Sequence, residues 1–380
     1  MSEGLFEMNV SGRLYGLADR MAASGLDAVL ITNLTNIRYL TGFTGSAAQL
    51  AVVRNSSGFI GLITTDGRYD LQIERELAAN GVTLDISVGS VTKQATDVFK
   101  FLGTSARIGF EGQHLSYASH QKLASQEELS RCELIGVSDL VEGIRITKDP
   151  GEIARIDKAA SIADAAFGRV VDMLTSGLSG GGQLTEADVA IELDHQMRLL
   201  GASEPAFETI VAGGESAAMP HHRADSSQIV GGTTIVFDFG ATYDGYRSDM
   251  TRTVCVGNFR DPVLEKMWKV VFESQDQGLG IVKSGVSGKD IDNACRKVID
   301  DAGWKENFSH STGHGVGLDI HEMPWVSQVS DTKIGTGMVI TVEPGVYIEG
   351  LGGVRIEDTV VVTDDGFEYL TKYPKVPILL

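Results

Sequence analysis

Hydrophobic and polar positions divide the 380-residue chain near residue 145. Before that point, short apolar runs at 27–32, 49–53, 59–64, 84–88 and 106–110 read as strands, and amphipathic segments at 71–79 and 92–102 read as helices between them. This alternation predicts a small α/β domain, residues 1–144, around a substantially parallel sheet. Beyond it the period lengthens. Ile153, Ile156, Ala160, Ala163, Phe167, Val170 and Leu174 recur three or four residues apart, the stripe of a long amphipathic helix. Asp149, Pro150 and Glu152 supply its cap, first-turn proline and capping-box acid. Further helices open at Thr185 with Asp188 three on, closing at Gly201; at Asp261 and Pro262; and at Ser287 with Asp290 three on, closing at Gly303. Residues 145–380 are expected to form one α+β domain.

That second domain contains an internal repeat. Asp238-Phe239-Gly240 followed by Arg247-Ser248-Asp249-Met250-Thr251 matches Glu343-Pro344-Gly345 followed by Arg355-Ile356-Glu357-Asp358-Thr359. Both read acid-x-Gly, then Arg-x-acid-x-Thr, and each copy follows a pair of capped helices. The pattern predicts a pseudo-two-fold domain of two helix-pair-plus-hairpin halves. A hairpin closing symmetrically about Tyr243 and Asp244 places Asp238 directly opposite Asp249. A turn centred at Gly350 likewise brings Glu343 opposite Glu357. Facing carboxylates among Ile, Val and Phe repel each other and are expensive to desolvate. A bound cation is the economical explanation. Four carboxylates exceed what one divalent ion needs, so two ions sharing bridging oxygens are expected, roughly 3.5–4 Å apart.

Charge and composition narrow the partners. With 51 acids against 32 bases the formal charge is −19, which opposes nucleic acid and anionic membrane as ligands. No apolar run approaches the ~18 residues of a membrane span, and the amino-terminal residues lack a signal-peptide core. Cys132, Cys255 and Cys295 are widely spaced with no CxxC pair. A reducing cytoplasm is therefore the expected location.

The histidines cluster: His221 and His222, then His310, His314 and His321. An imidazole beside hard carboxylates suits Mn²⁺, Co²⁺, Zn²⁺ or Fe²⁺ better than Ca²⁺ or Mg²⁺. The glycines around His314 do not make a phosphate loop, because the strand–GxxxxGK[ST]–helix context is missing. His195 lies within a well-patterned helix and reads as a surface or packing residue.

Five separated strings carry a resemblance: PHH at 220–222, FDFGATYDGYRSDMTRT at 237–253, HSTGHGVGLDIHEMP at 310–324, VITVEPGVY at 339–347 and GGVRIEDT at 352–359. In this order they resemble the metallopeptidases of the pita-bread fold, and within these the Xaa-Pro branch, aminopeptidase P and prolidase. The segment NLTNIRYLTGFTGS at 33–46 is similar to the start of that family's smaller domain. The resemblance implies metal ligands at Asp238, Asp249, His314, Glu343 and Glu357, with Asp249 and Glu357 bridging two divalent ions, Mn²⁺ first and Co²⁺ or Zn²⁺ as alternatives. It implies that His221 and His321 contact substrate and stabilise the transition state, and that Glu343 also serves in proton transfer. His310 lines the proline-binding part of the site, and Arg355 stands on the substrate side near the bridging glutamate. His222 receives no role. The implied reaction is hydrolysis of Xaa-Pro bonds in proline-containing peptides, by a homodimer. The two-domain layout and the FETIVA…PHHR context lean toward aminopeptidase P. A prolidase restricted to dipeptides is the near alternative, and methionine aminopeptidase shares the metal set but usually lacks such an N-terminal domain. A non-peptidase relative, creatinase-like or a binding module, is the distant alternative; it would be expected to have lost ligands.

Overall fold

The computed structural model describes residues 5–179 and 183–379. They form two compact units, one from Met8 to Arg145, the other from Ile146 onward with residues 5–7 belonging to it. Among the described residues, no helix is long and apolar enough to cross a membrane, and the three cysteines are unpaired.

The first unit is built on a six-stranded sheet in the order Asp85–Val88, Gly58–Thr65, Gln49–Asn55, Ala28–Ile31, Arg107–Glu111, Glu133–Val137. All five strands expected from apolar runs are present. The sixth, Glu133–Val137, is not among those expected, although Leu134, Ile135 and Val137 make it apolar; it is an edge strand with no fully buried residue. The sheet is mixed rather than substantially parallel: three of its five pairings are parallel and two antiparallel. The cause is local. Asn55 pairs with Gly58 across a two-residue turn in which Asn55 Oδ1 accepts from the Ser57 N–H at 2.9 Å. A connection this short can only fold a strand back antiparallel, since a parallel return needs a crossover of a dozen residues or more.

The second unit repeats itself. Helices Pro150–Ser179 and Glu186–Leu199 belong with the sheet of Ile378–Leu379, Met250–Val256, Ile235–Phe239 and Ile210–Gly213. Their shared core includes Phe167, whose ring meets Phe237, Phe239 and Tyr373 at centroid distances of 5.1, 5.1 and 4.7 Å. Helices Pro262–Gly280 and Gly288–Asp301 belong with Glu322–Val326, Gly313–Gly315, Val339–Val342, Asp358–Val362 and Phe367–Tyr369. Their core is Leu279, Ile291, Cys295, Ile340, Val342 and Val360. The helix starts follow from local chemistry. Capping boxes close at Thr185/Asp188 and Ser287/Asp290, Asp149 and Glu152 exchange hydrogen bonds in the same way, and Asp261 accepts from the Val263 N–H.

The two hairpins carry the acids, and the first is out of the expected register. Its turn residues are Asp244 and Gly245, both at positive φ (48° and 79°), as a two-residue I′ turn requires. The ladder aligns Tyr243 with Tyr246 and Asp238 with Thr251. Asp238 and Asp249 are therefore diagonal, not directly opposite. Moving the turn centre by one residue shifts every partner by two, and an even shift keeps both acids on one face. Asp249 falls opposite Gly240, where an added Cβ would lie 1.9 Å from the Ser248 carbonyl oxygen. The glycine of the acid-x-Gly motif thus keeps the backbones at their observed separation. In the second hairpin Val342 pairs with Asp358 and Gly345 with Arg355, which leaves Glu343 opposite Glu357 as expected.

Candidate metal centre

The two hairpins meet along their acid-bearing strands. The Glu357 N–H donates to the Thr251 carbonyl at 3.1 Å, and Thr253 Oγ1 joins the Arg355 backbone on both its N–H and carbonyl sides. The threonines that end the repeated motif lock the halves reciprocally. Thr251 Oγ1 donates to Glu357 Oε2 at 2.7 Å, and Thr359 Oγ1 donates to the Asp249 carbonyl at 2.7 Å. This closure brings Asp249, His314 and Glu357, all buried, to where one ligand atom from each lies within 4.8 Å of the others. Glu343 joins through His314, whose Nε2 is 3.4 Å from Glu343 Oε1 and 3.6 Å from Asp249 Oδ2. Asp238 joins through Arg355, at 2.5 Å from Nη2 to Oδ2.

The donor chemistry fits divalent cations. His314 Nδ1 is 3.0 Å from the Gly315 carbonyl, an acceptor, so Nδ1 carries the proton and Nε2 presents a lone pair. Burial pulls the His314 pKa down to about 4, helped by the adjacent His321, so the ring is neutral near pH 7. With those carboxylates ionised, a lone pair aimed at two of their oxygens is repulsive unless a cation stands among them. Asp238 Oδ1 and Glu357 Oε1 are buried with no hydrogen-bond partner among the described residues, and native structures rarely leave such acceptors unmatched. Burial, then mutual repulsion, raises Asp249 and Glu357 well above the ordinary carboxylate range. Glu343 is pushed up to about 8, chiefly by burial and also by Asp238.

These shifts carry a prediction. A carboxyl whose folded-state pKa is raised stabilises the fold fully below its ordinary value and loses that contribution as pH rises to the raised one. Metal-free protein is therefore expected to lose thermal stability between the ordinary Glu343 value of 4.5 and about 8. Added Mn²⁺ should restore stability at the upper end while displacing protons. Thermal scans across pH, with calorimetric titrations in buffers of different ionisation enthalpy, test this; a flat profile unresponsive to Mn²⁺ would refute it.

A cavity of about 530 Å³ opens on the cluster, lined among others by His221, His310, His321, Trp325 and Arg355 with the five candidate ligands. All nine site residues expected from sequence line it. His221 and His321 are exposed at it, the His321 ring lying edge-on to His314 at 4.4 Å. His310 and Arg355 are joined by a residue not singled out from sequence, Tyr347. His310 Nδ1 faces the Ser311 carbonyl at 2.8 Å, so Nε2 accepts from Tyr347 Oη at 2.9 Å, and Arg355 Nη1 donates to the same Oη at 2.8 Å. Burial, with Arg355 adding to it, drops the His310 pKa to about 3 and keeps this ring neutral. His222 also lines the cavity but is bound to Glu186, Nε2 to Oε2 2.6 Å, and His195 is exposed on its helix, as expected. Tyr347 lies in the VEPGVY string and Thr251 and Thr359 in the repeat, so their motifs were visible while their contacts were not. Nothing local marks Glu186.

Comparison with known proteins covers most of the chain. The pattern of metallopeptidase family M24 matches residues 154–364, and that of the creatinase/prolidase N-terminal domain matches 13–147. A Pyrococcus furiosus Xaa-Pro dipeptidase is 34% identical over 95% of this chain and 97% of its own length. Among solved structures, an Xaa-Pro dipeptidase from Bacillus anthracis superposes with TM-score 0.89 at 36% identity, covering 98% of this chain and 100% of that one. An X-Pro aminopeptidase from Thermotoga maritima gives 0.84 at 34%, covering 96% and 99%. The chain is thus a peptidase of metallopeptidase family M24, with a pita-bread catalytic domain that follows a creatinase/prolidase N-terminal domain.

Proposed function

We propose that this chain hydrolyses the peptide bond that precedes proline, as a metal-dependent Xaa-Pro peptidase. The observation that carries the reading is the His314 Nε2 lone pair, set among buried carboxylates with orphaned oxygens and open to a histidine-lined cavity. The relatives named for Xaa-Pro substrates support the substrate class. Asp238, Asp249, His314, Glu343 and Glu357 would hold two divalent cations, Mn²⁺ by preference and Co²⁺ or Zn²⁺ as substitutes. Bound there, the cations supply Lewis acidity toward a carbonyl and lower the pKa of water near neutrality.

The remaining groups act on substrate. His321 and His221, exposed at the cavity, donate hydrogen bonds to the oxygen that gains charge as the carbonyl is attacked. Glu343 Oε1 accepts the proton released in that attack and passes it to the leaving nitrogen of proline. The His310–Tyr347–Arg355 chain is a rigid, neutral-faced wall for the proline ring, and its hydrogen bonds hold the imidazole in one tautomer. A bond before proline is a tertiary amide without an N–H, which many peptidase clefts require, so a dedicated site is needed. The homodimer and the cytoplasmic location implied by the sequence complete the proposal.

Aminopeptidase P and prolidase differ in what lies beyond proline, and relatives named for each activity match this chain. The first test is an assay of metal-stripped protein with and without Mn²⁺ on an Xaa-Pro dipeptide and an Xaa-Pro-Xaa tripeptide. Metal-restored cleavage of either establishes the class. Metal-loaded protein that cleaves neither would overturn it.

A further inference from the structure

The cavity wall carries five carboxylates, Glu208, Asp238, Asp249, Glu343 and Glu357, and two arginines, Arg223 and Arg355. Arg355 is buried and every nitrogen of its guanidinium has a protein partner: Nη2 with Asp238, Nη1 with Tyr347 Oη and the Pro220 carbonyl, Nε with Thr251 Oγ1. Arg223 is different. Its side chain is 82% exposed and pairs through Nε with Glu208 Oε2 at 3.2 Å, itself 65% exposed. Such a solvated pair is worth little and exchanges readily. The terminal nitrogens of Arg223 have no protein partner among the described residues.

The arm that presents Arg223 is nonetheless fixed. The Pro220 carbonyl accepts from Arg355 at 3.4 Å, and His222 Nε2 meets the fully buried Glu186 at 2.6 Å. Glu186 also accepts from the Gly213 N–H at 2.8 Å and the Asp225 N–H at 3.5 Å. Glu186, His222 and Asp225 could be taken for a second metal site. The direct 2.6 Å contact leaves no room for an ion between imidazole and carboxylate, so the trio is a hydrogen-bonded anchor. It explains His222, which holds the segment between His221 and Arg223 in place.

Resting on the Xaa-Pro reading above, we infer that Arg223 is the receptor for the free C-terminal carboxylate of an Xaa-Pro dipeptide. The substrate carboxylate replaces Glu208 on the guanidinium, which makes the dipeptide the preferred substrate. An anionic end entering a wall of five carboxylates needs a cation with donors to spare, and a guanidinium fork binds a carboxylate through two parallel hydrogen bonds. Glu208 holds the arginine at the cavity until substrate arrives.

The test compares Mn²⁺-loaded wild type, Arg223→Ala, Arg223→Lys and Glu208→Gln on an Xaa-Pro dipeptide, its C-terminal amide and an Xaa-Pro-Xaa tripeptide. Wild type should prefer dipeptide to amide. In Arg223→Ala that preference should fall on the order of 10- to 100-fold, through KM rather than kcat. Arg223→Lys should recover part of it, a point charge lacking the fork, and Glu208→Gln should lower the dipeptide KM. Equal loss on dipeptide and amide would reduce Arg223 to a structural residue and overturn the inference, as would an unchanged preference or a wild type that favours the tripeptide. Wild type inactive on all three substrates would instead remove the Xaa-Pro reading, and this inference with it.

Discussion

Asp249→Asn is expected to lower turnover by about 10³-fold or more and, in metal-free protein, to raise the melting temperature. The two effects share a cause. Asp249 is 4% exposed, and Glu357, Asp238 and Glu343 all act to raise its pKa. Without a cation it is a burden on the fold, because a buried carboxylate must stay protonated or face its neighbours as a charge. An amide of the same shape relieves that cost. With cations present, the same substitution removes an anionic donor from the one place where His314 Nε2 and the carboxylates converge. Metal content by elemental analysis should therefore fall with activity, and stabilisation by Mn²⁺ should shrink. Retained stoichiometric metal with near-normal kcat would refute the assignment. A metal-free variant less stable than metal-free wild type would refute the electrostatic part alone.

Arg355→Met is expected to be the most disruptive of the conservative-sized changes at the cavity. Arg355 is 3% exposed and joins Asp238, Tyr347, Thr251 and the Pro220 carbonyl. Removing one partner of a buried ion pair leaves the other uncompensated, at a cost of roughly 3–5 kcal/mol. The Met variant should thus melt well below wild type, and it should lose turnover because Tyr347 and His310 lose their anchor. Arg355→Lys should restore part of the stability and little of the activity, because a single ammonium cannot serve contacts spread over three nitrogens. Calorimetry alongside kcat and KM tests this. Wild-type melting in the Met variant would show that the buried network contributes nothing.

Reading the chain in order succeeded wherever the chemistry is local. The capping residues Asp149, Thr185, Asp261 and Ser287 start the four long helices of the second unit at the expected positions. A cap acts on an N–H two or three residues away, so neighbours in sequence are enough. The repeated acid-x-Gly and Arg-x-acid-x-Thr strings likewise marked both hairpins. The register of the first hairpin failed because it depends on which two residues take positive φ. Asp244 and Gly245 do so, one step later than the symmetric guess. Glu133–Val137 was missed because its apolar run, Leu134, Ile135 and Val137, is only three residues interrupted by Gly136, as a half-buried edge strand allows.

The sequence by itself thus determined the four long helices of the second unit, the two-fold repeat and the identity of the acids and histidines that surround the cavity, because each is written in short-range pattern. Tertiary structure alone decided how those groups act on one another. Thr251 reaches Glu357 across 106 positions and Arg355 reaches Asp238 across 117. Glu186 finds His222 across 36. Contacts over such separations follow from the way the two halves pack and are invisible to any local pattern. The same packing withdraws water from the carboxylates, shifting their pKa values and creating a need for cations that composition does not register.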